Sequence, residues 1–130
     1  MVSCDPVVTD GTYAYVTLNS RSAWCGRNTN ELQVLDITDK TNIKIISSID
    51  MYSPLGMGIK DNLLFVCDDG LKVYDRTSPN DMALTYHFKD ITASDVIPYK
   101  DVLIVTGSDG INQYQVKNGL LAHLSSIHAK

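Results

Sequence analysis

The chain is poor in the residues from which small proteins build covalent rigidity or chemistry. Its 130 residues hold three cysteines, Cys4, Cys25 and Cys67, an odd number with no Cys-x-x-Cys pair. That argues against a structural zinc site, which closes four ligands at short spacings. The three histidines, His87, His123 and His128, show no spacing suited to a metal or to a nucleophile and its base. There is no Gly-x-Ser-x-Gly elbow and no glycine-rich segment running into a helix, so neither a hydrolase nucleophile nor a phosphate cradle is indicated. No run approaches the roughly 18 apolar residues of a membrane-spanning helix. Met1-Val2-Ser3-Cys4-Asp5 lacks the basic start and apolar stretch of a secretory signal, and no export signal is expected in this chain. Basic charge is scarce as well. Eleven Lys and Arg stand against fifteen Asp and Glu, a net charge of -4 with no basic stripe, which argues against a nucleic-acid partner.

What the chain does contain is repetition. An apolar fraction of 44% suits one globular domain, taken as residues 1–130. Val16, Val66 and Val105 each close a short apolar run, and a second run follows each: Leu32-Gln33-Val34-Leu35-Asp36, Leu71-Lys72-Val73-Tyr74-Asp75 and Ile111-Asn112-Gln113-Tyr114-Gln115. Asp36 to Asp75 is 39 residues, Asp75 to Gln115 is 40, and Val66 to Val105 is again 39. A period near forty built from short strands is the signature of propeller blades. The expected fold is therefore all-β, a partial β-propeller of three four-stranded antiparallel repeats, with blades at about 5–50, 55–90 and 94–128.

The second repeat is the most compact. Gly56 to Ile59 starts it, Asp61-Asn62 turns, Leu63 to Cys67 is a buried-type strand, Asp68-Asp69-Gly70 turns, and Leu71 to Asp75 alternates apolar and polar. Thr77 to Asp81 is rich in turn formers, and Met82 to Phe88 supplies the fourth strand. The third repeat follows the same order, ending at Ile127, 39 residues after Phe88. In the first, a long insert from Asn19 to Asn30 replaces the short turn. No helix is expected, because apolar residues recur at period two and Gly, Pro, Asn or Asp interrupts every run. Three blades do not close a ring, which usually takes four to eight. The remaining blades are expected from a longer parent chain or from self-association, with the abrupt start at Asp5-Pro6-Val7-Val8 favouring the first.

The repeated elements resemble a known pattern. Leu32 to Asp39 followed by Thr41-Asn42, and Leu64 to Asp75, are similar to the elements of the LVIVD-repeat family of bacterial envelope lipoproteins, of which this chain looks like a C-terminal three-repeat portion. Gln115 departs from the pattern, which has Asp at the end of that strand. The resemblance implies a β-propeller in the cell envelope, periplasmic or on the outer-membrane surface, with no established activity.

Each chemistry-bearing residue has a structural reading beside the functional one. Cys25 lies in the insert and Cys4 precedes the strand that should run beside it, so a disulfide could pin the loop in an oxidising compartment; the alternative is two free thiols. Cys67 reads as an inert core thiol. Asp68, Asp69 and Asp109 crowd two turns and could attract a hard cation, yet Asp-Gly supplies the positive φ that a two-residue hairpin turn needs, and no metal site is assigned. The histidines are expected on solvent-facing strand positions. The insert carries the only tryptophan and two arginines, so Arg21, Trp24 and Arg27 form a candidate binding loop, with Trp24 alternatively covering a blade edge. The expected function is a non-enzymatic scaffold for an unknown protein or glycan, without cofactor or catalytic residue. The competing reading is a carbohydrate-active hydrolase or lyase using carboxylates such as Asp5, Asp61, Asp95 and Asp101 around the propeller axis.

Overall fold

The computed structural model describes residues 6–20 and 29–128. They form twelve strands: β1 (Val7–Thr9), β2 (Tyr13–Leu18), β3 (Glu31–Asp36), β4 (Lys44–Asp50), β5 (Met57–Lys60), β6 (Leu63–Cys67), β7 (Leu71–Asp75), β8 (Ala83–Phe88), β9 (Asp95–Tyr99), β10 (Val102–Gly107), β11 (Gly110–Lys117) and β12 (Leu120–His128). Consecutive strands pair antiparallel into three four-stranded sheets, β1 to β4, β5 to β8 and β9 to β12, without a crossover. These are three successive propeller blades. Among the described residues, a 3₁₀ turn at Pro79–Asp81 breaks the expectation of no helix, in the segment read as an ordinary turn. Pro79 fixes its own φ and has no amide to leave unpaired, which suits it to start such a turn.

The repeat extends to a feature that the sequence pattern conceals. The third and fourth strands of every blade slip by one residue, between Val34 and Leu35, between Val73 and Tyr74, and between Gln113 and Tyr114. Ile46, Thr85 and Leu124 are the bulged residues, 39 apart each time. A bulge bends the strand and raises its twist, so each outer strand curls alike.

Hydrophobic burial lies between blades. Period-two alternation gives each sheet a back face toward the preceding blade and a forward face toward the following one. Tyr15, Leu32 and Val34, on the forward face of blade 1, pack with Met57, Leu64, Val66 and Tyr74 on the back face of blade 2. Phe65, Cys67, Leu71 and Val73, on the forward face of blade 2, pack with Val96, Leu103, Val105 and Val116 of blade 3. Blade 2 is thus covered on both sides, which explains why Leu63 to Cys67 reads as an unbroken apolar run instead of an alternation. Each large side chain buried there contributes roughly 1.5–3 kcal/mol.

The inner strands come closest. A side chain on Gly58 would meet Pro98 Cδ at 2.6 Å, so glycine is what lets β5 and β9 approach. Tight turns close the blades elsewhere. Asn118 (φ 54°) and Gly119 (φ 80°) link β11 to β12 as a two-residue hairpin with both residues left-handed, the type I′ requirement. The turns that the sequence assigned to Asp-Gly differ from that expectation. Cys67 pairs with Leu71, leaving a three-residue loop in which Asp69 (φ 51°) and Gly70 (φ 101°) are left-handed, while in blade 3 only Gly110 (φ 123°) is.

Candidate binding surfaces

Most carboxylates near the blade ends are already engaged. Asp68, expected merely to shape a turn, is fully buried and accepts hydrogen bonds from the Tyr52 amide (3.1 Å), the Ser53 amide (2.7 Å) and Lys72 Nζ (2.7 Å). Burial by itself would raise its pKa, but Lys72 and the two amides outweigh it and hold the carboxyl below its ordinary range. The linker from blade 1 to blade 2 is clamped from the other side too. Asn19 Nδ2 donates to the Pro54 carbonyl at 2.7 Å, and Thr17 Oγ1 donates to the Leu55 carbonyl at 2.8 Å.

At the opposite end of the same joint, Arg76 Nη1 of blade 2 meets Asp10 Oδ2 of blade 1 at 2.6 Å and Tyr15 Oη at 3.4 Å, with its guanidinium over the Tyr15 ring. Burial opposes ionisation of Asp10, while the Tyr13 and Thr12 amides and Arg76 lower its pKa. Asp36, Asp39 and Asp75 each accept a hydrogen bond from the backbone amide two residues on, locking local turns. Asp95 accepts from the Val96 amide and lies against Gly56 in the joint between blades 2 and 3. Burial, then the charge of Asp95, pushes the Cys67 thiol up to about 12, the mark of an inert thiol.

The histidines divide. His87 is half-buried and bonds the Asp69 carbonyl through Nε2 at 2.7 Å, contrary to the expected solvent-facing position, whereas His123 and His128 are exposed. His123 Nε2 lies 2.6 Å from Ser126 Oγ, a pair that the sequence spacing did not suggest. Ser126 Oγ in turn donates to Asn112 Oδ1 at 2.6 Å. With its proton committed to Asn112, the hydroxyl accepts from the imidazole, the reverse of what a general base requires. No group of three or more His, Cys, Asp or Glu among the described residues is placed to hold a metal ion.

Open surfaces among the described residues include a cleft and a sheet face. A cleft of about 550 Å³ separates the turn ends of blades 2 and 3, lined by Lys60, Asp61, Asn62, Asp101, Lys117 and Asn118 among others. Asp61 and Asp101, proposed by sequence as axial acids, are therefore rim residues of this cleft, with Lys60 Nζ 3.6 Å from Asp61. The second surface is the forward face of blade 3, where Ile97, Tyr99, Ile111 and Ile127 stand exposed on one side of the sheet. The candidate loop residues Arg21, Trp24 and Arg27, the possible disulfide partners Cys4 and Cys25, and Asp5 lie outside the described residues. No helix among the described residues is long and apolar enough to cross a membrane.

No family description and no curated protein matches the chain. Solved structures do. The N-terminal domain of Nup159 is similar with a TM-score of 0.57 and 15% identity over 95% of this chain and 30% of that one. A chain in the S. cerevisiae complex of a Dbp5 variant bound to Nup159, a Gle1 variant, IP6 and ADP gives a TM-score of 0.57 and 13% identity over the same shares. At such identities the likeness is one of fold, and this chain spans about 30% of the length of the chains it matches.

Proposed function

We propose that the protein is a non-enzymatic β-propeller repeat module that serves as an interaction scaffold for a protein or glycan partner. The observation that carries this reading is the commitment of its carboxylates: Asp68 is saturated by three donors, Asp10 is held by Arg76 and two amides, and Asp95, although exposed, accepts from the Val96 amide beside Gly56. Such groups hold a frame rigid and leave its ends and faces for contact. The insert with Arg21, Trp24 and Arg27, which joins β2 to β3 in sequence, is the binding loop of this reading. The cell envelope is the proposed location, supported by the family resemblance of the Leu32–Asn42 and Leu64–Asp75 elements alone.

The test is a glycan and peptide array probed with the chain and with an Arg21→Ala, Trp24→Ala, Arg27→Ala variant, alongside chromogenic glycosides. Binding that falls at least about tenfold in the variant, a loss of about 1.4 kcal/mol, with no turnover supports the scaffold. Glycoside turnover abolished by Asp95→Asn would instead establish the enzyme reading.

A further inference from the structure

The two internal joints of the molecule are built on one plan, and only the first is filled at its turn end. There Arg76 reaches from blade 2 to Asp10 of blade 1 at 2.6 Å and lies over the ring of Tyr15. The amides of Arg76 and Val116 bond the carbonyls of Asn62 and Asp101 in the same way, so Val116 is the counterpart of Arg76 in blade 3. By the same register Lys60 stands in blade 2 where Asp10 stands in blade 1, and Phe65 where Tyr15 does. Lys60 and Val116 cannot form the bridge that Asp10 and Arg76 do. The connection over the second joint is shorter as well. Seven residues separate Asp75 from its cross-strand partner Ala83, enough for the 3₁₀ turn that packs against β4. Six separate Gln115 from Ala122, and these pair Val116 with Leu121 and Lys117 with Leu120, leaving Asn118-Gly119 as the tip. The second joint thus lacks both the plug and the covering turn, and the cleft of about 550 Å³ stands in their place.

We propose that this cleft is a binding site for a neutral oligosaccharide. The proposal rests on the scaffold reading, names a ligand class for it, and adds a contact separate from the β2–β3 insert. The lining decides the class. Lys60 and Lys117 are balanced by Asp61 and Asp101, so no net charge draws an anion or a cation. Asn62 and Asn118 add two amides, each both donor and acceptor. Leu63 and Val116 supply an apolar wall. A ligand that answers many donors and acceptors without a charge, and has an apolar face of its own, is a sugar: its hydroxyls pair with the amides, ammoniums and carboxylates while its C–H face rests on Leu63 and Val116. A peptide anchors through large side chains in apolar pockets, and Leu63 and Val116 alone offer it little. The volume lies within the roughly 300–1,000 Å³ of small-ligand sites.

Saturation-transfer NMR with maltotriose, cellotriose, mannotriose, N-acetylchitotriose and lactose, each at about 1 mM, where a millimolar site is half filled, reads the binding. At least one of these sugars binds. Asp101→Ala, which keeps the carbonyl that Val116 uses, and Asn118→Gly, which suits the φ of 54° there, each weaken it by at least about tenfold with an unchanged circular dichroism spectrum. The Arg21→Ala, Trp24→Ala, Arg27→Ala variant keeps it. Lys60→Asp combined with Val116→Arg rebuilds the plug of the first joint and abolishes the signal without lowering the urea midpoint. No binding by any of the five sugars, a stronger signal from anionic sialyllactose than from all of them, or binding indifferent to Asp101→Ala and Asn118→Gly would each overturn the proposal. Sugar binding lost only in the triple loop variant would overturn it too, while leaving the scaffold reading in place.

Discussion

Asp68 shows how a residue that reads as turn punctuation becomes a structural centre. Its partners Tyr52 and Ser53 belong to the linker between blades 1 and 2, and the equivalent positions in the other blades are Leu18 and Gly107, so the repeat gives no hint of the role. Replacing it by Asn strips the compensating charge from half-buried Lys72, and urea unfolding at pH 7 is expected to show a loss of about 3 kcal/mol. The pH dependence follows from its lowered folded-state pKa. That stabilisation is complete above the unfolded carboxyl value of about 3.9 and disappears as pH falls through the lower folded value. The gap between the unaltered protein and Asp68→Asn should therefore narrow between pH 7 and pH 3; a constant gap would contradict the assignment. Lys100 makes the opposite case. It sits at φ 54° in the β9–β10 turn, where a lysine costs about 1 kcal/mol, offset by about 0.5 kcal/mol from its ammonium over the Tyr99 ring. Asn tolerates that conformation, so Lys100→Asn should stabilise by about 0.5 kcal/mol, read as a higher urea midpoint.

At the scale of elements, the strands were legible because hydrophobic alternation and turn residues are local signals. Leu63 to Cys67 and Leu71 to Asp75 stand where the residues place them. The bulges at Ile46, Thr85 and Leu124 were not legible, because one extra residue in an outer strand disturbs neither composition nor the 39-residue period. The 3₁₀ turn at Pro79–Asp81 escaped for a similar reason: Pro, Asn and Asp favour many kinds of turn equally. Close approach of inner strands is likewise tertiary, visible in sequence only as an unremarkable glycine. Gly58→Ala adds one methyl against Pro98, and with nowhere to go it should force β5 and β9 apart. A cost of about 1–3 kcal/mol in urea unfolding is expected, with little change in the strand content seen by circular dichroism. A neutral substitution would mean that the two strands are not in contact.

For the whole molecule, the period near forty revealed blades but not which residues one blade turns toward the next. That depends on the face each residue occupies, and the structure assigns it: Leu32 and Leu71 are forward-facing and buried, and Ile111 is forward-facing and bare. Candidate sites were less legible than the fold. Carboxylates spaced by repetition looked like possible axial acids, yet exposed Asp95 accepts from the Val96 amide of its own strand and Asp61 and Asp101 rim a cleft, because local turns and strand ends claim side chains before chemistry can. The central claim is that burial follows the repeat only where a next blade exists. Chemical denaturation of Leu32→Ala, Leu71→Ala and Ile111→Ala tests it directly. Leu32→Ala and Leu71→Ala should each cost about 2–5 kcal/mol and Ile111→Ala less than about 1 kcal/mol; equal losses at all three positions would contradict the account.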